Sequence, residues 1–372
     1  MREPVELRRR RILAVVRSRG SARVSDLADE LKVSVVTVRR DIEELERAGQ
    51  LVRGHGVVRS VVPIQRAAPE AVPEDGHTVA LMVPERHSYL FETLHGARTV
   101  LEEAGLRIAL HIVPRRAAAE RPMVEAALAG GASGLLIAPN WRSLESEEAD
   151  YGWLAELDVP TVLMERRPRP GSRLHALDSV CSDHWYGMHL AVDHLISLGH
   201  RRIILAVRDD SPTARALRAA FIEIAVTRTE VEDWTVVLSS PEAGPDLSAG
   251  PVYPALDLPA LLAERGSTGV VLHGDVDAVI QVQRLAEAGL RVPEDCSVVA
   301  YDDVVAALSS TPLTAVAPPK TQIGAAAAEL MLYRLGRLAE DAGESATEPV
   351  RRVELLPELK VRGSAQAPAK SR

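Results

Sequence analysis

The chain has 372 residues, too many for one ordinary domain and enough for two or three units with sizeable cores. Its net charge of −8 hides an asymmetry: residues 1–62 hold 14 Lys/Arg against 9 Asp/Glu, and the remainder holds 30 against 43. A basic head on an acidic body concentrates phosphate attraction on one module and discourages the body from sticking to nucleic acid. Only two cysteines occur, Cys181 and Cys296, too few for a disulfide framework and without metal-site spacing, so reduced thiols in a cytoplasm are expected. The amino terminus lacks the long apolar core of a secretion signal, and no stretch approaches the eighteen or so apolar residues that span a bilayer. Neither secretion nor a membrane partner is expected.

The first elements are two short helices in VSDLADELKVSVVTVRRDIEELERAGQLVRGHG. Leu27, Ala28 and Leu31 fall at helical spacing in the first, as do Val35, Val38, Ile42 and Leu45 in the second, which gives each helix an apolar stripe to pack on the other. Ser34 is placed to cap the second helix by accepting from a backbone N–H two or three residues on. Thr37, Arg39 and Arg40 then occupy its first two turns, the turns that a helix-turn-helix protein pushes into the major groove. The bland alternative is that Arg39 and Arg40 pair with Glu43 and Glu44 along a solvated helix.

The run from RRRRIL to LVRGHG resembles the DeoR-type winged helix-turn-helix over roughly the first sixty residues. The resemblance implies a two-stranded wing over Gln50 to Arg59, with Gly54 and Gly56 at its turn and Arg53, His55 and Arg59 near phosphates. Base edges then fall to Val35, Thr37, Arg39 and Arg40. The head is assigned to residues 1–60 and a Pro-rich linker, VVPIQRAAPEAVPEDG, to residues 61–76.

From residue 77 short buried strands alternate with amphipathic helices: TVALMV, LHGARTVLEEAG, LRIALHIV, MVEAALAGG and SGLLIAP, then a second set from VPTVLM through SVVAYD to the late helix IGAAAAELMLYRLGRL. Alternation of this kind indicates α/β architecture with parallel sheets covered on both faces, and so many strands suggest two lobes. HSYLFETLHGA, SGLLIAP, VPTVLMERR, VCSDHWYGMHLAVDHLISLGHRRI, TGVVLHGDVDAV, GLRVPEDCSVVAYDD with STPLTAV, and LLPELKVRGS resemble the effector domain of LacI-type regulators, itself similar to periplasmic sugar-binding proteins. The likeness implies two doubly wound lobes joined by three crossover strands with a small molecule between them. The first lobe is expected over about 77–178 plus a segment after 303, the second over about 179–302 plus the C-terminal segment, within a body of 77–364 and before a disordered tail at 365–372. The small hinge helix usual in LacI-type regulators has no counterpart before residue 77.

Parallel sheets bind ligands at the carboxyl ends of their strands, so polar residues there are the candidates. His87 and Tyr89 follow the first body strand, and the resemblance assigns an aromatic of this loop to the ligand. Asn140 offers an amide donor and acceptor, or caps its loop. Glu165 and Arg166 stand where similar proteins often have Asp-Arg. Asp183 either contacts ligand or caps the following helix, Trp185 is a stacking platform, and Trp234 either closes the pocket or packs. Asp275 and Asp302 are the strongest charged candidates, because a strand-end carboxylate takes two hydroxyl donors. The family's ligand arginine has no counterpart in TARALRAAF, where Leu217 holds its place between Arg215 and Arg218; Arg218 is carried as the candidate.

No HExxH, Walker loop or GxSxG turn is present, and GHGVVR lacks the third glycine of a dinucleotide fingerprint, so no cofactor and no catalysis are expected. The reading is a repressor that binds double-stranded operator DNA as a homodimer, with a tetramer as the larger alternative, under control of a sugar or nucleoside. The rivals are a ligand-independent regulator, an enzyme that doubles as a regulator, and a sugar-binding transport component.

Overall fold

The computed structural model describes residues 5–19, 21–24, 27–28, 31, 33–47, 51–54, 57–60, 77–85, 88–114, 118–141, 143–208, 211–239, 256–340 and 349–369. The expected linker at 61–76, together with His55 and His87, lies outside them. The chain forms two compact units, one around residues 1–75 and one made of nearly all of 76–372.

In the first unit α1 (Val5–Arg19) leads into β1 (Ser21–Arg23), a helical turn in which the Leu31 amide donates to the Leu27 carbonyl (3.0 Å), and α2 (Val35–Arg47). Strands β2 (Leu51–Gly54) and β3 (Val57–Ser60) form an antiparallel hairpin, and β3 also pairs with β1, giving the order β1-β3-β2. Ile12, Val16, Leu27, Leu31, Val38, Ile42, Leu45, Leu51 and Val58 close one core. Val35 departs from its expected place in that core and is 38% exposed. It is the first helical residue, with no preceding turn of its own helix beside it.

The second unit holds two six-stranded sheets. The first has the order β14-β8-β7-β6-β4-β5, from β4 (Thr78–Pro84), β5 (Arg107–Val113), β6 (Ala132–Ile137), β7 (Thr161–Met164), β8 (Asp178–Ser182) and β14 (Arg352–Leu355), all parallel. The second has the order β10-β9-β11-β12-β13-β15, from β9 (Arg202–Val207), β10 (Asp233–Leu238), β11 (Gly269–Leu272), β12 (Ser297–Tyr301), β13 (Thr314–Ala317) and β15 (Glu358–Lys360), with only β15 antiparallel to its neighbour. Central strands such as TVLM are buried along their whole length, because helices cover both faces. On the first sheet these are α3 (Ser88–Glu103) and α10 (Lys320–Glu340) on one side, with α4 (Glu120–Ala129) and α5 (Leu144–Tyr151) on the other. On the second they are α6 (His184–Ser197) and α7 (Pro212–Thr227), opposed by α8 (Leu258–Arg265) and α9 (Asp275–Glu287).

Helices α3 and α10 approach through glycines. A Cβ on Gly96 would lie 1.9 Å from the Thr321 carbonyl oxygen, and one on Gly324 would lie 1.8 Å from that of Thr93. The buried Asp178 carboxylate ties α10 to β8 by accepting from Arg334 Nε at 2.6 Å and from Arg334 Nη2 at 2.8 Å.

The chain passes between sheets three times, at Asp183, at Pro318–Pro319 and at Leu356–Pro357. Two of these crossings carry proline, which cannot donate to a continuing ladder. Sheet membership therefore keeps 178–182 in the first lobe and 314–317 in the second, later in sequence than the boundaries near 178 and 303 expected above. The expected disordered tail is also corrected through residue 369. The Gln366 carbonyl accepts from Ser297 Oγ and His200 Nε2, each at 2.9 Å, and its amide donates to Ser297 Oγ at 3.0 Å.

Candidate DNA-reading helix and effector cleft

Helix α2 begins with its cap. Ser34 Oγ accepts from the Thr37 amide at 3.2 Å and shares a hydrogen bond with Thr37 Oγ1 at 2.8 Å. The two hydroxyls thus occupy each other. Arg39 and Arg40 are exposed and make no ion pair or hydrogen bond among the described residues, while Glu44 takes Arg47 instead. Asp41 is 2% exposed and fastens α2 to α1 by accepting from Arg8 Nε (2.6 Å) and Arg9 Nε (3.2 Å). Its signal in the sequence is an acid on the inward face of a basic helix. Of Arg53, the backbone lies in β2; His55 is outside the described residues.

In the second unit, the strands of both sheets end at a common cleft. Glu165, at φ +53° just past β7, is buried and accepts from the Tyr89 hydroxyl, the Ser182 amide (3.1 Å) and Ser182 Oγ (3.2 Å). Burial and the Glu165 charge together push the Tyr89 phenol well up. Arg166 is buried and spends its guanidinium on the carbonyls of Pro139 and Glu165, the latter at 2.7 Å. Desolvation pulls its pKa down to about 10, which leaves it cationic at neutral pH, and its two carbonyl bonds brace the loops.

From the other lobe, Asp275 opens α9 and is 2% exposed. It accepts from the amides of Val305 and Ala306 (2.8 Å) and so holds the loop that carries Asp302. Asp302 sits at φ +100°, its amide bonded to the Val316 carbonyl (3.0 Å), with no hydrogen bond to its carboxylate among the described residues. Desolvation, then the Asp275 charge, raise its pKa to about 7. Lys320, 5% exposed at the start of α10, holds its ammonium 5.4 Å from the Tyr89 ring centre and likewise makes no hydrogen bond there. Asn140, at the end of β6, has a buried side-chain oxygen without a partner. Arg208, after β9, pairs with Asp277 (2.7 Å). A buried acceptor without a partner is costly, which makes the Asn140 oxygen, with Asp302 and Lys320 near it, a candidate to meet a polar ligand.

Other expected contacts fall elsewhere. Asp183 caps α6 by accepting from the Tyr186 amide at 2.8 Å. Trp185 donates from its indole to Glu223 (3.0 Å), lies under Arg167 and packs on the second-lobe core, so it is no open platform. Trp234 stands at the amino end of β10, edge-on to Phe221 at 6.2 Å, at the opposite end of the sheet from the cleft. Leu217 is buried in the core, and Arg218 is half-buried on α7. Arg215 is the arginine of that helix that reaches the other lobe, donating to the Trp141 carbonyl at 2.6 Å. Lys320 and Arg208 follow β13 and β9, strands whose ends carry none of the candidates named from the sequence. No group of His, Cys, Asp and Glu among the described residues gathers as for a metal ion, and no described helix is long and apolar enough to cross a membrane.

Residues 8–63 match the DeoR-like helix-turn-helix domain and residues 192–365 the periplasmic binding protein-like domain. The class these matches define is a DNA-binding transcription regulator, with a DeoR-like helix-turn-helix head and a periplasmic binding protein-like body. The chain is 28% identical over 319 residues to the arabinose metabolism transcriptional repressor of Geobacillus stearothermophilus, spanning 85% of each. Its fold matches the lac repressor dimer bound to operator and the anti-inducer ONPF (TM-score 0.62, 21% identity, 79% of this chain and 96% of that one). It also matches a LacI family regulator of Enterococcus faecium with bound ribose (TM-score 0.57, 22% identity, 78% and 99%).

Proposed function

We propose that this chain is a sequence-specific repressor whose operator affinity is set by a polyhydroxylated small molecule, a sugar or nucleoside, closed between the two lobes. The observation that carries this reading is the buried side-chain oxygen of Asn140 without a hydrogen-bond partner, near Asp302 and Lys320 at the strand ends, in a chain that also carries on a capped helix two exposed arginines with no hydrogen bond among the described residues. An arabinose repressor and a ribose-bound regulator among similar proteins favour the sugar. The ligand is bound and released unchanged, in the cytoplasm. A homodimer presents two α2 helices to successive major grooves of an inverted repeat, because two-fold symmetry in the protein matches two-fold symmetry in the DNA. Arg39 and Arg40 read base edges, with Arg53, His55 and Arg59 at phosphates.

The test takes the full chain and a duplex selected from a randomised pool. Its affinity is measured at fixed salt with and without each member of a panel of pentoses, hexoses and nucleosides. One panel member is expected to raise the melting temperature and to change duplex affinity 5- to 150-fold, the usual span of a coupling of roughly 1 to 3 kcal/mol. No sequence preference would end the regulator reading. A preference that no small molecule alters would leave a ligand-independent regulator, and a ligand recovered chemically changed would make the body an enzyme.

A further inference from the structure

Helix α2 turns Val38, Asp41, Ile42 and Leu45 into the core. At about 100° per residue, the ridge directly opposite runs through Val36, Arg40, Glu43 and Arg47. Val36 is 74% exposed, the most exposed of the large apolar side chains among the described residues. It sits in the first turn of the helix, outside the core of the head. The hydroxyls of Ser34 and Thr37 are bonded to each other in the cap, and Val36 is the most exposed apolar group of this turn. An apolar side chain held at the tip of a basic helix therefore needs an apolar partner, and the major groove offers one such group, the C5-methyl of thymine.

We propose that Val36 is a specificity-determining residue that reads a thymine methyl group in each operator half-site, beside a guanine read by Arg40. This rests on the regulator reading above. Residues four apart on a helix have Cβ atoms about 5–6 Å apart, and base pairs stack about 3.4 Å apart, so the thymine lies within two base pairs of that guanine. Val35, 38% exposed and turned toward the flank of the helix, reaches the groove less directly.

The experiment uses the full chain, a duplex it selects from a randomised pool, and fluorescence anisotropy at fixed salt. Each thymine is replaced in turn by uracil, which deletes the methyl and keeps the pairing. One uracil position per half-site, within two base pairs of a guanine, is expected to weaken binding about fourfold, the worth of one buried methyl group, and about fifteenfold when both half-sites are changed. In Val36→Ala, whose substitution on an exposed face leaves folding intact, the same uracil duplex is expected to bind as well as the thymine duplex. The proposal is overturned if no uracil changes affinity, if the loss persists in Val36→Ala, or if it vanishes in Val35→Ala instead. Failure to enrich any sequence would overturn the regulator reading together with it, which separates the two failures.

Discussion

Asp302 holds its proton to about pH 7 because its carboxyl is desolvated and faces Asp275, against an ordinary value of 3.8. The unfolded chain gives that proton up near pH 4, so the stability Asp302 lends is full in acid and is lost as pH rises through 7. Under the proposed binding at Asp302, ligand affinity runs the other way, since hydroxyl donors bind the ionised form. The affinity for the stabilising sugar or nucleoside is expected to fall up to tenfold per pH unit below 7 in the wild type, measured by titration calorimetry. Asp302→Asn is expected to bind weakly with a flat profile over that range. A slope retained in Asp302→Asn would assign the titration to another group.

At the scale of elements, α2 depends on α1 through one buried carboxylate. Asp41→Ala leaves Arg8 and Arg9 facing an empty, largely dry position, a loss of roughly 3 kcal/mol for the head. Operator binding is expected to disappear while the ligand-stabilised melting transition of the body stays in place. The crossing of α3 and α10 makes a second contrast. Gly96→Ala drives a methyl into the Thr321 carbonyl and is expected to cost about 1–3 kcal/mol or more, seen as a lower melting temperature. Gly336→Ala, on the same α10 but with nothing within 4 Å, is expected to gain about 0.4–1 kcal/mol by removing freedom from the unfolded chain. Equal effects at the two positions would show that α3 and α10 do not meet there.

For the whole molecule, the proposed function makes lobe closure the event that couples ligand to DNA. Arg215 donates across the cleft to the Trp141 carbonyl, a charge-assisted bond worth roughly 1.5–3 kcal/mol. Arg215→Ala is expected to favour the open body, with ligand affinity down about tenfold and a larger radius of gyration in solution scattering without ligand. Unchanged affinity and scattering would remove the latch. The three crossings beside this cleft make opening inexpensive: each is a single strand, two are broken by proline, and the Asp183 amide rests on the Leu355 carbonyl at 3.0 Å.

Periodicity and punctuation in the sequence by themselves determined the head and the alternation of strands and helices, because burial stripes and caps are local. Val38, Ile42, Leu45 and Ser34 do in the structure what their spacing required, and the rule that parallel strands end at a binding cleft names Asp302 and Asn140 as candidates. Only the tertiary structure decided which strand-end groups keep a free valence. It gave Arg166 to carbonyls, Trp185 to Glu223 and Trp234 to the far end of its sheet, and it brought Lys320 beside Tyr89 from more than two hundred residues away. Such pairings are fixed by how two sheets face each other across three crossings, and a one-dimensional pattern carries no record of that distance.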